Sequence, residues 1–561
     1  MNKFNELIDK SHHKIAFAIL LIGVGSGFFS FLLHELTHSI SQLIGTNQSF
    51  TLETFFYATA FALASYYLTK KLFKDTSGSG IPQVKLSLVA YKGKMPKRMS
   101  GGKFITTVLT LCSGLSFGKE GPMITIGAAW GHLVSHMLNF NRQITKVLVS
   151  SGSAAGLAAA FNTPIAAVVF TIEEILGELN TKYLGPIIVT SVIASVTSFK
   201  LLGNKSTFIT LNYEFHIEWH LLLYLLLGLT MSLIGMAFIK SILFFKEIKK
   251  RYFKRYDFLY IVLIVILAGA SSLFSPEILG DGIETINVLL AGKAPPIISA
   301  FAFLFILKLA LSTTSYSTGL SGGLFMPVLF LGALAGTIFG LFLQKFGIAK
   351  IEIGVFALLG MTSLLVAVIK TPFTAFVMLF EMTRDYELIL PLMISSIVAY
   401  WFSSFFNIES AYEAVAKYEG VNLPTQQDSE CLNEMVVEEC MIKDVITLKG
   451  NDRIMDVIDL VQSSKFGGFP VLRNNRLIGV VNKCDIEEAY KTDPEAKIRS
   501  MAKYSVITIF PDQSLLVALD KMKRFEIGRL PVVSRFHDKQ LLGIITPEDI
   551  VNYLGLSKQE L

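Results

Sequence analysis

Two nineteen-residue stretches without a single charge, Ile15–Leu33 and Leu221–Ile239, set the first limit on what this chain can fold into. Each is long enough to cross the roughly 30 Å hydrocarbon core of a bilayer as a helix. Leu259–Leu273 and Val355–Ile369 are shorter and read as tilted neighbours or partial spans. Of 561 residues, 52% are hydrophobic and only 17% charged, which is too apolar for a soluble protein of this size. The first apolar stretch is too long for a signal peptide and lacks a small-residue cleavage pattern, so no cleavable leader is expected.

The apolar character is not uniform. Residues 1–13 are a short polar lead, residues 14–416 are predominantly apolar, and 417–435 read as a linker with Pro424, Gln426, Gln427 and Asp428. Residues 436–561 alternate short β-branched runs with amphipathic, charged ones, as in a soluble α/β domain. The net charge of +6 gives no case for nucleic acid. Basic residues cluster between apolar runs, at Lys92–Arg98 and from Lys246 to Arg255, which marks those turns as cytoplasmic. Asn204–His220 has far fewer and is expected outside. Cys112, Cys431, Cys440 and Cys484 form no CxxC and no regular spacing, against a disulfide framework or a zinc site. Three of them fall in the linker and tail, which fits a reducing cytosol.

Within the apolar part, Gly118-Lys119-Glu120-Gly121-Pro122 places a carboxylate between glycines. A charge at bilayer depth costs a few kcal/mol or more unless it faces a polar pathway. The glycines and proline mark a broken helix whose free N–H groups meet an anion readily. An acid at such an end competes with a small anion for one place, which suggests a gated anion pathway. Gly78-Ser79-Gly80-Ile81-Pro82 offers close backbone approach, a hydroxyl donor and the positive end of the following helix; an ordinary helix-breaking turn is the plainer reading. Gly323-Leu324-Phe325-Met326-Pro327 offers the N–H groups of Leu324 and Phe325 without a charge, so an anion binds and still leaves. Simple helix packing through glycine is its plainer reading.

The chain repeats. Gly118-x-x-x-Pro122 with Gly127-Ala128 recurs as Gly323-x-x-x-Pro327 with Gly332-Ala333, 205 residues on. Thr163-Pro164 with Glu173 recurs as Thr371-Pro372 with Glu381, 208 residues on. Repeated halves with Gly/Pro-interrupted apolar segments point to a transport site at the membrane midplane. In the tail, Val445-Ile446-Thr447 and Phe469-Pro470-Val471 recur 61 residues later as Val506-Ile507-Thr508 and Leu530-Pro531-Val532. Gly479–Asp485 recurs as Gly543–Asp549, 64 residues on.

In order and spacing, the three glycine-rich segments resemble the signature stretches of the CLC family of chloride channels and proton/chloride antiporters, over about residues 14–416. The resemblance implies an all-α polytopic membrane fold of repeated halves with broken helices. It also implies a homodimer with an anion pathway in each subunit. By that resemblance Ser79, Gly121, the N–H groups of Leu324 and Phe325, and the Tyr412 phenol hold chloride. Glu120 matches the gating glutamate, which occupies an anion site when ionised and swings away when protonated. Glu174, in Ile172-Glu173-Glu174, matches a position that is glutamate in most antiporters and typically valine in channels, and implies a proton relay. A surface acid or a dimer-interface salt bridge is its alternative role. Serine at 79 together with the tyrosine points to chloride, since nitrate-preferring members carry proline at the serine and fluoride exporters depart from both patterns.

The tail resembles a pair of CBS domains, about 437–490 and 497–556, an α/β module. By that resemblance Asp549, Thr546 and Asp485 meet an adenine nucleotide, with Asn482 replacing the threonine in the first copy. A dimerisation module without ligand is the alternative. The expected protein is a proton-coupled chloride antiporter, not an enzyme. It needs no cofactor or metal and lies in a bacterial plasma membrane with N-terminus and tail cytoplasmic. A passive voltage-gated chloride channel is the alternative within the family.

Two motifs point elsewhere. His34-Glu35-Leu36-Thr37-His38 reads H-E-x-x-H, the zinc motif that intramembrane site-2 proteases carry in a membrane helix. Their third ligand comes from a Leu-Asp-Gly segment, and the nearest stretch here, Leu279-Gly280-Asp281-Gly282, breaks that pattern. Gly114-Leu115-Ser116-Phe117-Gly118 reads G-x-S-x-G, but the hydrolase elbow needs a strand before it, and here an apolar membrane segment precedes it.

Overall fold

The computed structural model describes residues 2–45, 50–89, 91, 93–177, 181–203, 208, 220–292, 297–347, 352–421, 435–464, 466–474, 476–502, 506–525, 527–536 and 540–553. Lys92, Cys431, most of the 417–435 linker and most of Asn204–His220 lie outside these residues. The chain divides into two compact units, Met1–Leu423 and Pro424–Leu561.

The first unit is helical. Its first half holds α1 (Asn2–Ile44), α2 (Leu52–Lys71), α3 (Ile81–Val89), α4 (Met99–Cys112), α5 (Glu120–Met137), α6 (Arg142–Phe161), α7 (Pro164–Phe170) and α8 (Thr181–Leu202). The second holds α9 (His220–Tyr252), α10 (Asp257–Ser272), α11 (Ile283–Leu290), α12 (Ile298–Ser317), α13 (Phe325–Lys345), α14 (Ile353–Ile369), α15 (Pro372–Thr383), α16 (Ile389–Phe405) and α17 (Ala411–Tyr418). Among the described residues, six helices are long and apolar enough to cross a membrane: most of α1, then α6, α8, α9, α12 and α13. The two shorter apolar stretches of the sequence fall in α10 and α14, which are apolar but not long. Large apolar side chains face outward, among them Phe17, Leu20, Val24 and Phe28 on α1 and Ile188, Val189, Val192 and Val196 on α8. Serine and threonine go inside, as with Ser150, Ser151 and Ser153 on α6. That is the reverse of a soluble surface and suits a lipid solvent.

The two halves share one set of contacts. Gly118 and Gly323 exchange backbone hydrogen bonds of 2.9 and 2.7 Å, an antiparallel bridge between equivalent residues, so a local two-fold relation runs through that pair. Glycines let α5 lie on α6 and α13 on α14: a β-carbon on Gly127 would collide with the Gly152 carbonyl, and one on Gly360 with the Gly332 carbonyl. Each half also caps the other. Glu173 accepts from the N–H groups of Phe373 and Thr374 (3.1 and 2.7 Å), and Glu381 accepts from those of Ile165 and Ala166 (3.0 and 2.8 Å). Both acids sit on helix starts made by a Thr-Pro, where free N–H groups and the dipole favour a carboxylate.

In the tail, β1 (Leu448–Lys449) runs parallel to β2 (Gly468–Arg473), which pairs antiparallel with β3 (Arg476–Asn482). The second copy pairs β4 (Leu530–Val533) with β5 (Leu541–Ile545), and the place of β1 is taken by a single parallel bridge, Ile509 to Val532. Each copy lends its leading turn to the other. Val437 and Cys440 pack into the core around Ile509, Leu530 and Val532, while Ile498 packs into the core around Leu448, Phe469 and Val471.

Candidate functional site

The three glycine-rich turns of the first unit converge. Gly78 and Gly80 both take positive φ (64° and 88°), a backbone that only glycine adopts freely, and between them they present Ser79 ahead of α3. The turn is tied down from α4. Lys103 is fully buried, and its Nζ donates to the carbonyls of Thr76 (2.9 Å) and Gly78 (2.6 Å). Thr125 Oγ1, from α5, donates to the Ser79 carbonyl at 3.4 Å. A β-carbon on Gly121 would lie 3.1 Å from the Ser79 Cβ and 3.4 Å from the Gly323 Cα. Ser79, the start of α5 and the start of α13 therefore occupy one small region, with helix-start N–H groups lacking intrahelical partners.

Glu120 is the first residue of α5 and is fully buried. Its carboxylate lies against the backbone of Gly118 and of Met326 in α13. Neither carboxylate oxygen makes a hydrogen bond of full geometry among the described residues. Leu324 and Phe325 are buried at the start of α13, and the Phe325 ring is held edge-on by Phe161 and Phe170, with centroids 6.1 and 5.6 Å away. Tyr412, the second residue of α17, is fully buried, and its phenol has no hydrogen-bond partner among the described residues. Tyr316, Glu174 and Glu120 are its ionisable neighbours.

Glu174 lies on a π-helical turn, Thr171–Leu176, that continues α7. The equivalent α15 stays α-helical as far as Thr383, so the wide turn belongs to one half only; such bulges recur at functional sites. Glu174 is nearly buried and ion-paired to Lys85 of α3 at 3.0 Å.

A cavity of about 80 Å³ reaches the Ser79 turn, lined in part by Ser77, Gln83, Lys246, Tyr316 and Glu419. Sequence reasoning passed over Tyr316, whose phenol faces Ser79. Its signal was the Ser312–Ser317 run, unusually hydroxylated for an apolar helix. Lys85 and Lys103 were passed over too. Each sits in a mixed sequence where a surface lysine is the ordinary expectation.

The two decoy motifs resolve by their surroundings. His34 and His38 stack 6.0 Å apart, but His34 Nδ1 faces the Lys119 ammonium at 3.3 Å and His38 Nε2 pairs with the Gln42 amide at 2.8 Å, so one ring nitrogen of each is already engaged. Among the described residues no three His, Cys, Asp or Glu side chains are grouped to hold a metal. Ser116 is buried and bonds Ser312 Oγ at 2.9 Å, with helix rather than strand before it.

In the tail, Asp549 Oδ2 accepts from the Thr546 backbone N–H (2.8 Å) and hydroxyl (2.7 Å). In the first copy Asn482 Nδ2 donates to Asp485 Oδ2 at 3.2 Å. Arg529 of the second copy donates to the Gly468 carbonyl of the first at 3.0 Å. Burial pushes the Arg529 guanidinium down from its ordinary value.

Comparison with known proteins gives a consistent picture. The family profile described as voltage gated chloride channel matches residues 60–404, and the CBS domain profile matches 437–492 and 498–556. The H(+)/Cl(-) exchange transporter ClcA of Vibrio cholerae is 28% identical over 420 residues, 72% of this chain and 89% of that protein. The crystal structure of a eukaryotic CLC transporter superposes with a TM-score of 0.69 at 20% identity, over 96% of this chain and 98% of the other. That of a slow cyanobacterial Cl-/H+ antiporter superposes with a TM-score of 0.67 at 23% identity, over 72% and 98%.

Proposed function

The chain belongs to the voltage gated chloride channel family and carries two CBS domains, and from that premise we propose that it is a proton-coupled chloride antiporter. It is a membrane transporter, not an enzyme. Ser79, Gly121, the N–H groups of Leu324 and Phe325, and the Tyr412 phenol hold the dehydrated chloride. Neutral dipoles compensate the anion without trapping it, which a lysine at the same place would do. Glu120 is the gate. Its ionised carboxylate takes an anion's place among the same amides, and its protonated form leaves. Glu174 passes protons toward it from the side of the cavity at Ser79.

The observation that carries this reading is the Glu120 carboxylate, buried at the meeting of two helix starts with no hydrogen bond of full geometry among the described residues. A buried polar group left unpaired costs about 1–3 kcal/mol, more when charged, so a fold keeps one where it works. The basic end of α9 supports a cytoplasmic inner face, with the N-terminus and tail on that side of a plasma membrane; the homodimer rests on the family resemblance alone. At the tail, Thr546, Asp549 and Asp485 are the contacts for an adenine nucleotide.

The test is the reversal potential of protein reconstituted in bilayers under opposed chloride and pH gradients. An antiporter reverses between the chloride and proton equilibrium potentials. Reversal at the chloride potential alone would establish the passive channel instead, and absence of chloride current or flux would end the transport reading.

A further inference from the structure

Lys85 joins three elements that each carry part of the proposed route. It lies on α3, behind Ser79; its Nζ donates to Glu174 Oε1 at 3.0 Å and to Glu413 Oε1 at 3.4 Å. The three side chains retain 10%, 6% and 21% of their exposure, so the group is screened only weakly by water. Glu413 is also the third residue of α17, and its other oxygen closes a capping box. Glu413 Oε2 accepts from the Ser410 N–H at 3.3 Å, and Ser410 Oγ accepts from the Glu413 N–H at 3.2 Å. Through Glu413 the Lys85 ammonium is thus fastened to the helix that presents Tyr412.

Two other charged side chains, Glu173 beside Glu174 and Lys370 beside Glu413, and the neutral Tyr412 face this cluster. Glu173 accepts from the amides of α15, Lys370 donates to Ser403 Oγ at 2.6 Å, and Tyr412 is a phenol. With Lys85 and Lys370 as ammonium groups and Glu173, Glu174 and Glu413 as carboxylates, the group carries one surplus negative charge, which one added proton removes.

Building on the reading of Glu174 as proton relay, we propose that Lys85 is a positioning residue with two alternate partners, linking proton loading of Glu174 to the Tyr412 helix. While Glu174 is ionised, the ammonium is held by both acids, closer to Glu174. When a proton from the cytoplasmic water binds a Glu174 oxygen, that carboxyl no longer attracts the ammonium. Glu413 is then the remaining anion in reach, and Lys85 closes on it. The proton ends on Glu174, the Lys85–Glu174 ion pair is broken, and the Lys85–Glu413 pair is tightened. Because Glu413 closes the cap of α17, the change is delivered one residue from the phenol that holds chloride.

Two variants separate this role from simple stabilisation, because their effects have opposite sign. Glu413→Gln keeps the capping box, which glutamine also closes, but removes the alternate partner. Lys85 then stays with Glu174, and the midpoint of proton transport against internal pH moves acid by about one unit. Lys85→Met leaves Glu174 beside an unbalanced Glu413, and the midpoint moves alkaline by about as much. In the Glu413→Gln protein the proton-to-chloride exchange ratio falls at least about fivefold at neutral pH, the low end for coupled sites. Lys85→Arg restores the wild-type profile. Midpoints that move the same way in both variants, or not at all, while Glu174→Gln abolishes proton coupling, would overturn the role of Lys85 alone. Proton coupling that survives Glu174→Gln would remove the relay on which it rests.

Discussion

In the first half of the membrane unit the turn before α3 reads Gly78-Ser79-Gly80; in the second half the turn before α11 reads Gly280-Asp281-Gly282. The two turns are built alike. All four glycines have positive φ, and the middle side chain accepts from the N–H two residues on at 3.4 Å in both. A fully buried lysine anchors each. Lys308 donates to the carbonyls of Ile278 (2.7 Å) and Gly280 (3.0 Å), as Lys103 does to those of Thr76 and Gly78. The serine bonds recur as well, Thr107 to Ser321 and Ser116 to Ser312, both 2.9 Å. Against this shared frame, the residues at the helix starts differ: Lys119 and Glu120 in one half, Leu324 and Phe325 in the other. Repetition supplied a rigid cradle of glycine turns and helix starts. Divergence at a few positions placed a carboxylic acid at one helix start and apolar side chains at the other.

The sharpest way to break this comparison is at Glu120. Glu120→Gln makes the first helix start permanently neutral, like the second, and proton flux is expected to fall at least about a hundredfold while chloride still moves. Proton flux that persists undiminished would refute the gate. The next effect is on the frame. Lys308→Met takes the donor from the carbonyls of Ile278 and Gly280, whereas Lys103→Met takes it from that of Thr76 while the Gly78 carbonyl keeps the Gly322 N–H at 3.1 Å, at about 1–3 kcal/mol for each carbonyl left unpaired. Both are expected to lower the thermal midpoint in detergent, Lys308→Met by more. Of the two, Lys103→Met should impair chloride transport more, because its turn carries Ser79. A Lys308→Met protein as stable as the parent would show that the second turn is not held as the first is.

The smallest effect tests the same logic in the tail. The second copy pairs Asp549 with a threonine hydroxyl, the first pairs Asp485 with an asparagine amide. Asp549→Ala should weaken ATP binding, read by calorimetry, about tenfold, and Asp485→Ala less. Equal losses would mean that the asparagine copy binds as well, and no binding to the parent protein would leave the tail without a nucleotide role.

Much of the fold was legible in the sequence because its signals are local. The 205-residue recurrence of Gly118–Pro122 in Gly323–Pro327 located both helix starts, and the nineteen-residue apolar runs located α1 and α9. The recurrence of Thr-Pro with a later glutamate was visible at Glu173 and Glu381, but its meaning was not. Nothing in either segment says that each acid caps the other half's helix. The H-E-x-x-H motif erred in the opposite direction. Its spacing is local and genuine, yet it says nothing of Lys119, 85 residues beyond His34, whose ammonium stands 3.3 Å from His34 Nδ1 and disfavours a second cation there.

The sequence by itself determined where helices break, which breaks are paired and which residue types stand at them, since glycine, proline and apolar runs act on their own neighbourhood. Only the tertiary structure decided that Lys85, Glu174 and Glu413 form one charged cluster, and that the Glu120 carboxylate is buried with no hydrogen bond of full geometry among the described residues. Lys85 and Glu413 are 328 residues apart in the chain. An ion pair across that distance is set by how helices pack, and packing is a property of all of them together.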